Sequence, residues 1–154
     1  MDEVAQLIKD AYQQYEKQMP SRVWKAYLED MMDVRSRLKV AELIVAESNG
    51  RVVGSVTLYS SAFASSEEGW PKGWAAIRLL AVHPDYRGWG IGRALMAECI
   101  GRCRKWGIRT IGLRTTEVMD IARRMYERLG FVRVPEFDFH PTPDTIVMAY
   151  RLDL

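Results

Sequence analysis

Between Trp74 and Thr115 the apolar residues change period twice, and that change restricts the fold more than any other feature of the chain. The run WAAIRLLAV is almost continuously apolar, as a strand covered on both faces would be. From Ile91 onward, Leu95, Cys99, Cys103 and Trp106 recur at helical spacing until Gly107, a residue suited to closing a helix. TIGLRT then returns to strand character. Strand, helix and strand in this order form a crossover unit, and the two strands it joins must be parallel.

The flanking sequence supplies the remaining layers. Val4, Leu7, Ile8, Ala11, Tyr12 and Tyr15 are spaced for one helix, and Pro20 and Ser21 open a second that carries Trp24, Tyr27, Leu28, Met31 and Leu38. AELIVAE and VVGSVTLY surround Asn49-Gly50 and predict an antiparallel hairpin. Residues 60–73 (SSAFASSEEGWPKG) lack periodicity and read as a loop. VMDIARRMYERLG predicts a helix closed by Gly130, followed by a short strand at Phe131 to Val134, a proline-rich connection (PEFDFHPTPD) and a last strand, TIVMAYRL. The expected fold is an α/β mixed sheet flanked by helices. With 154 residues and 48% hydrophobic content, it is expected to be one domain over residues 1–154.

Charge is unevenly distributed. Residues 87–133 hold eleven Lys and Arg against four Asp and Glu, a net of +7, and the rest of the chain holds eleven against sixteen, a net of −5. The total of +2 argues against a nucleic-acid partner, whereas the local excess favours an anionic ligand near residues 87–92. The same arginines also suit the solvated faces of two helices. Cys99 and Cys103, four apart on one helix face, read as core residues rather than a disulfide. His83 and His140 are isolated and no metal-ligand spacing occurs, so no metal is expected. The charged start MDEVAQLIKD and the lack of a long apolar run predict a cytoplasmic protein without a membrane partner.

Arg87-Gly88-Trp89-Gly90-Ile91-Gly92 joins the buried strand to the helix. The first turn of a helix presents unpartnered N–H groups and the positive end of the helix dipole, so an anion fits there. Glycines at 88, 90 and 92 let a bulky diphosphate approach the backbone. Glycines before a helix also serve close packing, and the spacing is neither the dinucleotide fingerprint nor the lysine-containing nucleotide loop.

The run IRLLAVHPDYRGWGIGRALM resembles the acetyl-CoA-binding signature of the GNAT superfamily of N-acetyltransferases: Arg or Gln, two residues, Gly, one residue, then Gly or Ala. Arg87, Gly90 and Gly92 match it. MYERLGF, Met125 to Phe131, resembles the second hallmark, a helix ending in an aromatic residue before Gly-Phe. The resemblance implies a mostly antiparallel sheet whose parallel pair splays at one end to receive the pantetheine arm of acetyl-CoA. It implies cofactor contacts from Leu80, Ala81 and Val82 and from the turn Arg87, Gly88, Trp89, Gly90, Ile91, Gly92 and Arg93. Tyr126 is implied as the proton donor to the departing thiolate, with a backbone N–H near Val82 polarising the carbonyl. The expected reaction is direct attack by an amine on the thioester in a ternary complex.

This chain departs from the family pattern twice. Relatives often carry a glutamate on the strand at 74–82, where Arg78 is the only charged residue here, so Glu47, Glu67, Glu68 and a water chain all stay open as proton acceptors. Relatives often carry asparagine where this chain has Met119, a task left to Thr115, Thr116 or Asp120. Asp30, Asp33, Glu67, Glu68, Glu136 and Asp138 with Trp70, Trp74 and Phe139 fall in the regions that the resemblance implies set acceptor specificity, and they suit a cationic amine, although ordinary surface acids account for the same residues. An acyl-CoA-binding sensor without transferase activity is the alternative function, and a homodimer is compatible with the size.

Overall fold

The computed structural model describes residues 2–154 and consists of one mixed sheet with helices on both faces. Helix α1 (Asp2–Tyr12) buries Val4, Leu7, Ile8 and Ala11. The chain then tightens into a 3-10 turn over Gln13–Gln18, so Tyr15 lies beyond the α-helix that its spacing predicts. Helix α2 (Ser21–Met32) ends before Leu38, the last position expected in it. Asp33 leaves helical geometry there, and its carboxylate accepts a hydrogen bond from the Ser36 N–H at 3.4 Å to start the short helix α3 (Val34–Arg37). Leu38, expected on the inner face of α2, is consequently 43% exposed.

Strands β1 (Glu42–Ser48) and β2 (Arg51–Tyr59) form the hairpin about Asn49-Gly50. The segment expected to be a loop contains helix α4 (Ser61–Glu68), closed by Gly69. Only Ala64 of α4 is buried, so the helix carries no apolar stripe that a periodicity could report. Strand β3 (Ala75–Val82), helix α5 (Ile91–Lys105) and strand β4 (Thr110–Thr116) make the crossover, followed by α6 (Asp120–Arg128) and β5 (Val132–Arg133). The proline-rich connection also holds more structure than expected: a 3-10 turn at Pro135–Phe137 and strand β6 (Phe139–Thr142), which pairs with β7 (Thr145–Asp153). The sheet runs β1-β2-β3-β4-β7-β5, with β6 also on β7 and β3–β4 as its parallel pair.

Two features of β3 position everything that follows. It pairs with β4 only at Ala75↔Ile111, Ala76↔Gly112 and Ile77↔Leu113. Beyond Ile77, β3 continues along β2 as far as Val82 while β4 continues along β7, so a gap opens between them. At the mouth of that gap sits a β-bulge. The pairing of β2 with β3 steps from Thr57↔Arg78 to Ser55↔Ala81, placing Leu79 and Leu80 opposite Val56, and Leu79 takes φ +55.

The bulge exchanges the faces of the strand. Ala75 and Ile77 pack in the core under α5 with Leu95, Met96, Cys99 and Cys103. Past the bulge, Leu79 and Ala81 pack instead with Val4, Ile8, Trp24 and Met31 of α1 and α2, and Leu80 joins the α5 side. A bulged leucine at positive φ costs about 1 kcal/mol or more, offset here by burial of the Leu79 side chain to 4% exposure. Cys99 and Cys103 are free and buried, as expected, and burial pushes their thiols up to about 12 and about 11. Neither is a nucleophile at neutral pH.

Candidate active site

Two cavities open on either side of the splayed pair and meet at Tyr12, Leu80, Met119 and Ala122. The first, about 650 Å³, runs from Leu80–Val82 to the glycine turn. Gly88 and Gly90 hold φ +83 and +79, a region that side-chain-bearing residues rarely enter, and the turn delivers the chain into α5 with no side-chain cap on its N-terminus. The N–H groups of that first helical turn are therefore available to a diphosphate, which fits the group that the turn was expected to hold. Leu80, Ala81, Val82, Arg87, Gly88, Gly90, Ile91, Gly92 and Arg93 all line this cavity. Trp89 does not: it is 69% exposed, its ring edge-on to Tyr86 at 5.2 Å.

Arg87, which lines this cavity, is also bonded within the protein. Its guanidinium donates to the Ala11 carbonyl and to the Gln14 amide oxygen Oε1, both at 3.1 Å, tying the turn to the end of α1. Tyr12, from the same place in α1, donates its hydroxyl to the Leu80 carbonyl at 2.7 Å. The end of α1 thus fastens both the turn and the open strand. Sequence periodicity marked Tyr12 only as a core residue, because one inward-facing aromatic cannot reveal which distant carbonyl its hydroxyl meets.

The second cavity, about 830 Å³, lies between α2, α4, the bulged half of β3, the end of β4 and the Pro135–Phe139 segment. Tyr126, near the end of α6, reaches into it from the α5 side of the sheet. Its side chain is 7% exposed, packed against Phe131 at 5.9 Å, and burial holds its phenol well above the ordinary tyrosine range. It is protonated at physiological pH, so in a proton transfer it would be an acid rather than a base. Met119 stands where the cavities meet, with the Thr115 hydroxyl directed at its sulfur at 3.8 Å. Asp120 is paired with Arg123 at 2.8 Å. Of the three residues considered as substitutes for an asparagine at 119, Thr116 alone keeps a buried hydroxyl without a partner among the described residues, and it lines the second cavity.

The second cavity is walled by carboxylates and aromatic rings. Asp30, Glu67, Glu68, Glu136 and Asp138 line it against Arg78 and Arg114. Arg78 pairs with Asp30 and, through Nε at 3.4 Å, with Glu68. Arg114 spreads over the Trp70 ring at 4.1 Å and donates to the carbonyls of Phe137 and Glu68. Trp70 reaches this place because Gly112 of β4 has no side chain: a Cβ there would come within 2.8 Å of the indole. Asp138 is fixed by Arg133 at 2.6 and 2.7 Å and by the Ala149 N–H at 2.7 Å, and the Arg133 hydrogen bond leads in holding its carboxyl below the ordinary range. Two residues expected to face the acceptor do not line the cavity. Asp33 caps α3, and Trp74 stacks between Trp70 and Arg151. Glu47, on β1, is likewise absent from both linings.

The first cavity has the opposite character, with Arg87, Arg93 and Arg128 in its lining and no carboxylate. No group of three or more His, Cys, Asp or Glu side chains is placed to hold a metal among the described residues, and no described helix is long and apolar enough to cross a membrane.

Mycothiol acetyltransferase of Cellulomonas flavigena is 34% identical over 94 residues, covering 60% of this chain and 27% of that protein, so the chain spans about a quarter of that relative's length. A GNAT-family acetyltransferase structure from Staphylococcus aureus Mu50 matches with a TM-score of 0.73 at 19% identity, over 99% of this chain and 91% of the other. The PaiA N-acetyltransferase of Thermoplasma acidophilum, solved in complex with coenzyme A, matches with a TM-score of 0.71 at 14% identity, over 97% and 91% of the two chains. The model of the acetyltransferase (GNAT) family matches residues 1–131, and the chain belongs to that family.

Proposed function

We propose that this protein transfers the acetyl group of acetyl-CoA to a primary amine that is cationic in solution, by direct attack in a ternary complex. The observation that carries this reading is the division of charge between two cavities that meet at one gap in the sheet. Three arginines without a carboxylate line the side of the glycine turn, and five carboxylates against two arginines line the other. The first suits a diphosphate and the second an ammonium group.

In this reading the N–H groups of Ile91, Gly92 and Arg93 receive the diphosphate at the start of α5, and backbone groups of Leu80 to Val82, left without a strand partner on the β4 side, hold the pantetheine amides. The bulge at Leu79 turns the backbone toward the place where both cavities meet, where an N–H can stabilise the carbonyl oxygen as charge develops. Tyr126 donates a proton to the departing sulfur. Holding amine and thioester across the gap supplies a large part of the rate enhancement. The name of the Thermoplasma relative, an N-acetyltransferase bound to coenzyme A, supports nitrogen as the acceptor atom and coenzyme A as the carrier. Soluble cytoplasmic action without a metal completes the reading.

Arg78 and Met119, the two departures from the family pattern, favour a second reading in which the chain binds acyl-CoA as a sensor without transfer. A thiol-release assay with acetyl-CoA over polyamines, aminoglycosides, amino acids and peptides separates the two. Release that depends on a cationic amine supports transfer. Calorimetric binding of coenzyme A with no release across the panel supports the sensor, and preference for neutral or anionic amines rejects the charge argument.

A further inference from the structure

We propose that Glu68, the last residue of α4, takes the proton from the acceptor ammonium, with Arg78 as the residue that positions it. This rests on the transferase reading above and adds an assignment for the group that the sequence left open.

The cavity itself narrows the choice. Of its five lining carboxylates, Asp30, Glu67 and Glu136 are exposed, and Asp138 is locked by Arg133 and the Ala149 N–H. Glu68 alone is neither: its side chain is 21% exposed, one oxygen faces Arg78 Nε at 3.4 Å, and no hydrogen bond to a described residue occupies the other. Arg78 immediately precedes the bulge at Leu79, so the carboxylate is fastened beside the point where the sheet parts. That is where an amine must stand to reach a thioester laid along Leu80–Val82.

The surroundings suit a proton acceptor. Glu68 ends a helix, where the carbonyl end of the dipole disfavours negative charge. Burial raises its carboxyl first; Arg114 opposes this, neighbouring Glu67 adds to it and Arg37 opposes it. Tyr27 of α2, Tyr59 of β2 and Asp30 complete the titratable groups around it. A carboxylate whose pKa is raised accepts a proton more readily than an exposed one.

The step balances as follows in atoms and charge. An ammonium N–H proton passes to the Glu68 carboxylate, the freed lone pair forms the C–N bond, and the C–S bond breaks. Sulfur takes the Tyr126 proton, the nitrogen gives up a second proton that restores Tyr126 through water, and Glu68 releases its proton to solvent.

The test compares wild type, Glu68→Gln and Glu68→Asp with acetyl-CoA and the best acceptor from the amine panel, between pH 5 and 9. Glu68→Gln is expected to lose about 10²-fold in kcat/KM at pH 7, and the deficit is expected to shrink as pH rises toward the pKa of the amine. Glu68→Asp is expected to keep the acid limb of the wild-type profile at reduced kcat. A parallel profile for Glu68→Gln and wild type overturns the assignment while leaving the transferase reading intact. A wild type that transfers to no amine overturns both. A readout without turnover uses ¹³C NMR of side-chain carboxyls, with the Glu68 signal identified by its loss in Glu68→Gln. It is expected to titrate above the ordinary glutamate value of about 4.3 and to move when spermidine is added in the absence of acetyl-CoA. An ordinary titration with no response to spermidine counts against the proposal.

Discussion

The hydroxyl of Tyr12 donates to the carbonyl of Leu80 across 68 positions of sequence, at 2.7 Å, where both cavities share a wall. The bond covers one backbone oxygen of a strand that has lost its neighbour, and it pins the end of α1 over the gap. Tyr12→Phe removes the donor without changing the ring. The expected loss is about 1 kcal/mol of stability, the worth of one net hydrogen bond, read as a lower urea midpoint at unchanged m-value.

Tyr126→Phe is expected to lower turnover by about tenfold or more with coenzyme A affinity changed less than about twofold. Thiol release and calorimetry measure the two quantities separately. Unchanged turnover removes Tyr126 from the reaction.

Gly90→Val forces a β-branched residue to φ +79 in the turn before α5. The backbone strain of about 1–2 kcal/mol must be met by reshaping the turn. Calorimetry with coenzyme A is expected to show at least tenfold weaker binding, whereas affinity equal to wild type would remove the turn from the binding site.

Asp138→Asn tests the clamp that shapes the acidic cavity. The native carboxylate accepts from Arg133 and from the Ala149 N–H, so its loss is expected to cost about 2–3 kcal/mol at pH 7. Because the folded-state pKa of Asp138 is lowered, its contribution is present above the ordinary aspartate value of about 3.9 and disappears as pH falls through the lowered folded value. Urea midpoints of wild type and variant should therefore differ at pH 7 and converge on acidification.

Sequence alone reveals the parts of this molecule whose side chains repeat. The hairpin about Asn49-Gly50, the crossover from Trp74 to Thr115 and the helix leading to Gly130 all carry a period, and the glycine turn carries a motif. Helix α4 escapes notice because Ala64 is its sole buried residue and the remainder is Ser, Ala, Phe and Glu without a stripe. Its last residue nevertheless lines the second, acidic cavity. Strand β6 is hidden by Pro141, tolerated because β6 lies at the outer side of β7. Arg87 shows the limit of a motif: the match identifies the turn, but the hydrogen bonds to Ala11 and Gln14 depend on where α1 ends in space.

The extra residue in β3 also sets how this strand tolerates change. Removing Leu79 would restore regular alternation and leave Leu80 on the α5 side and Ala81 toward α1 and α2, but it would take away the extra residue and with it the local kink at the gap. Substitutions in this stretch alter single contacts, but a residue deleted between Leu80 and Val82, with the bulge kept, would reverse the facing of the positions that follow it. Length, more than residue identity, is what β3 has to conserve.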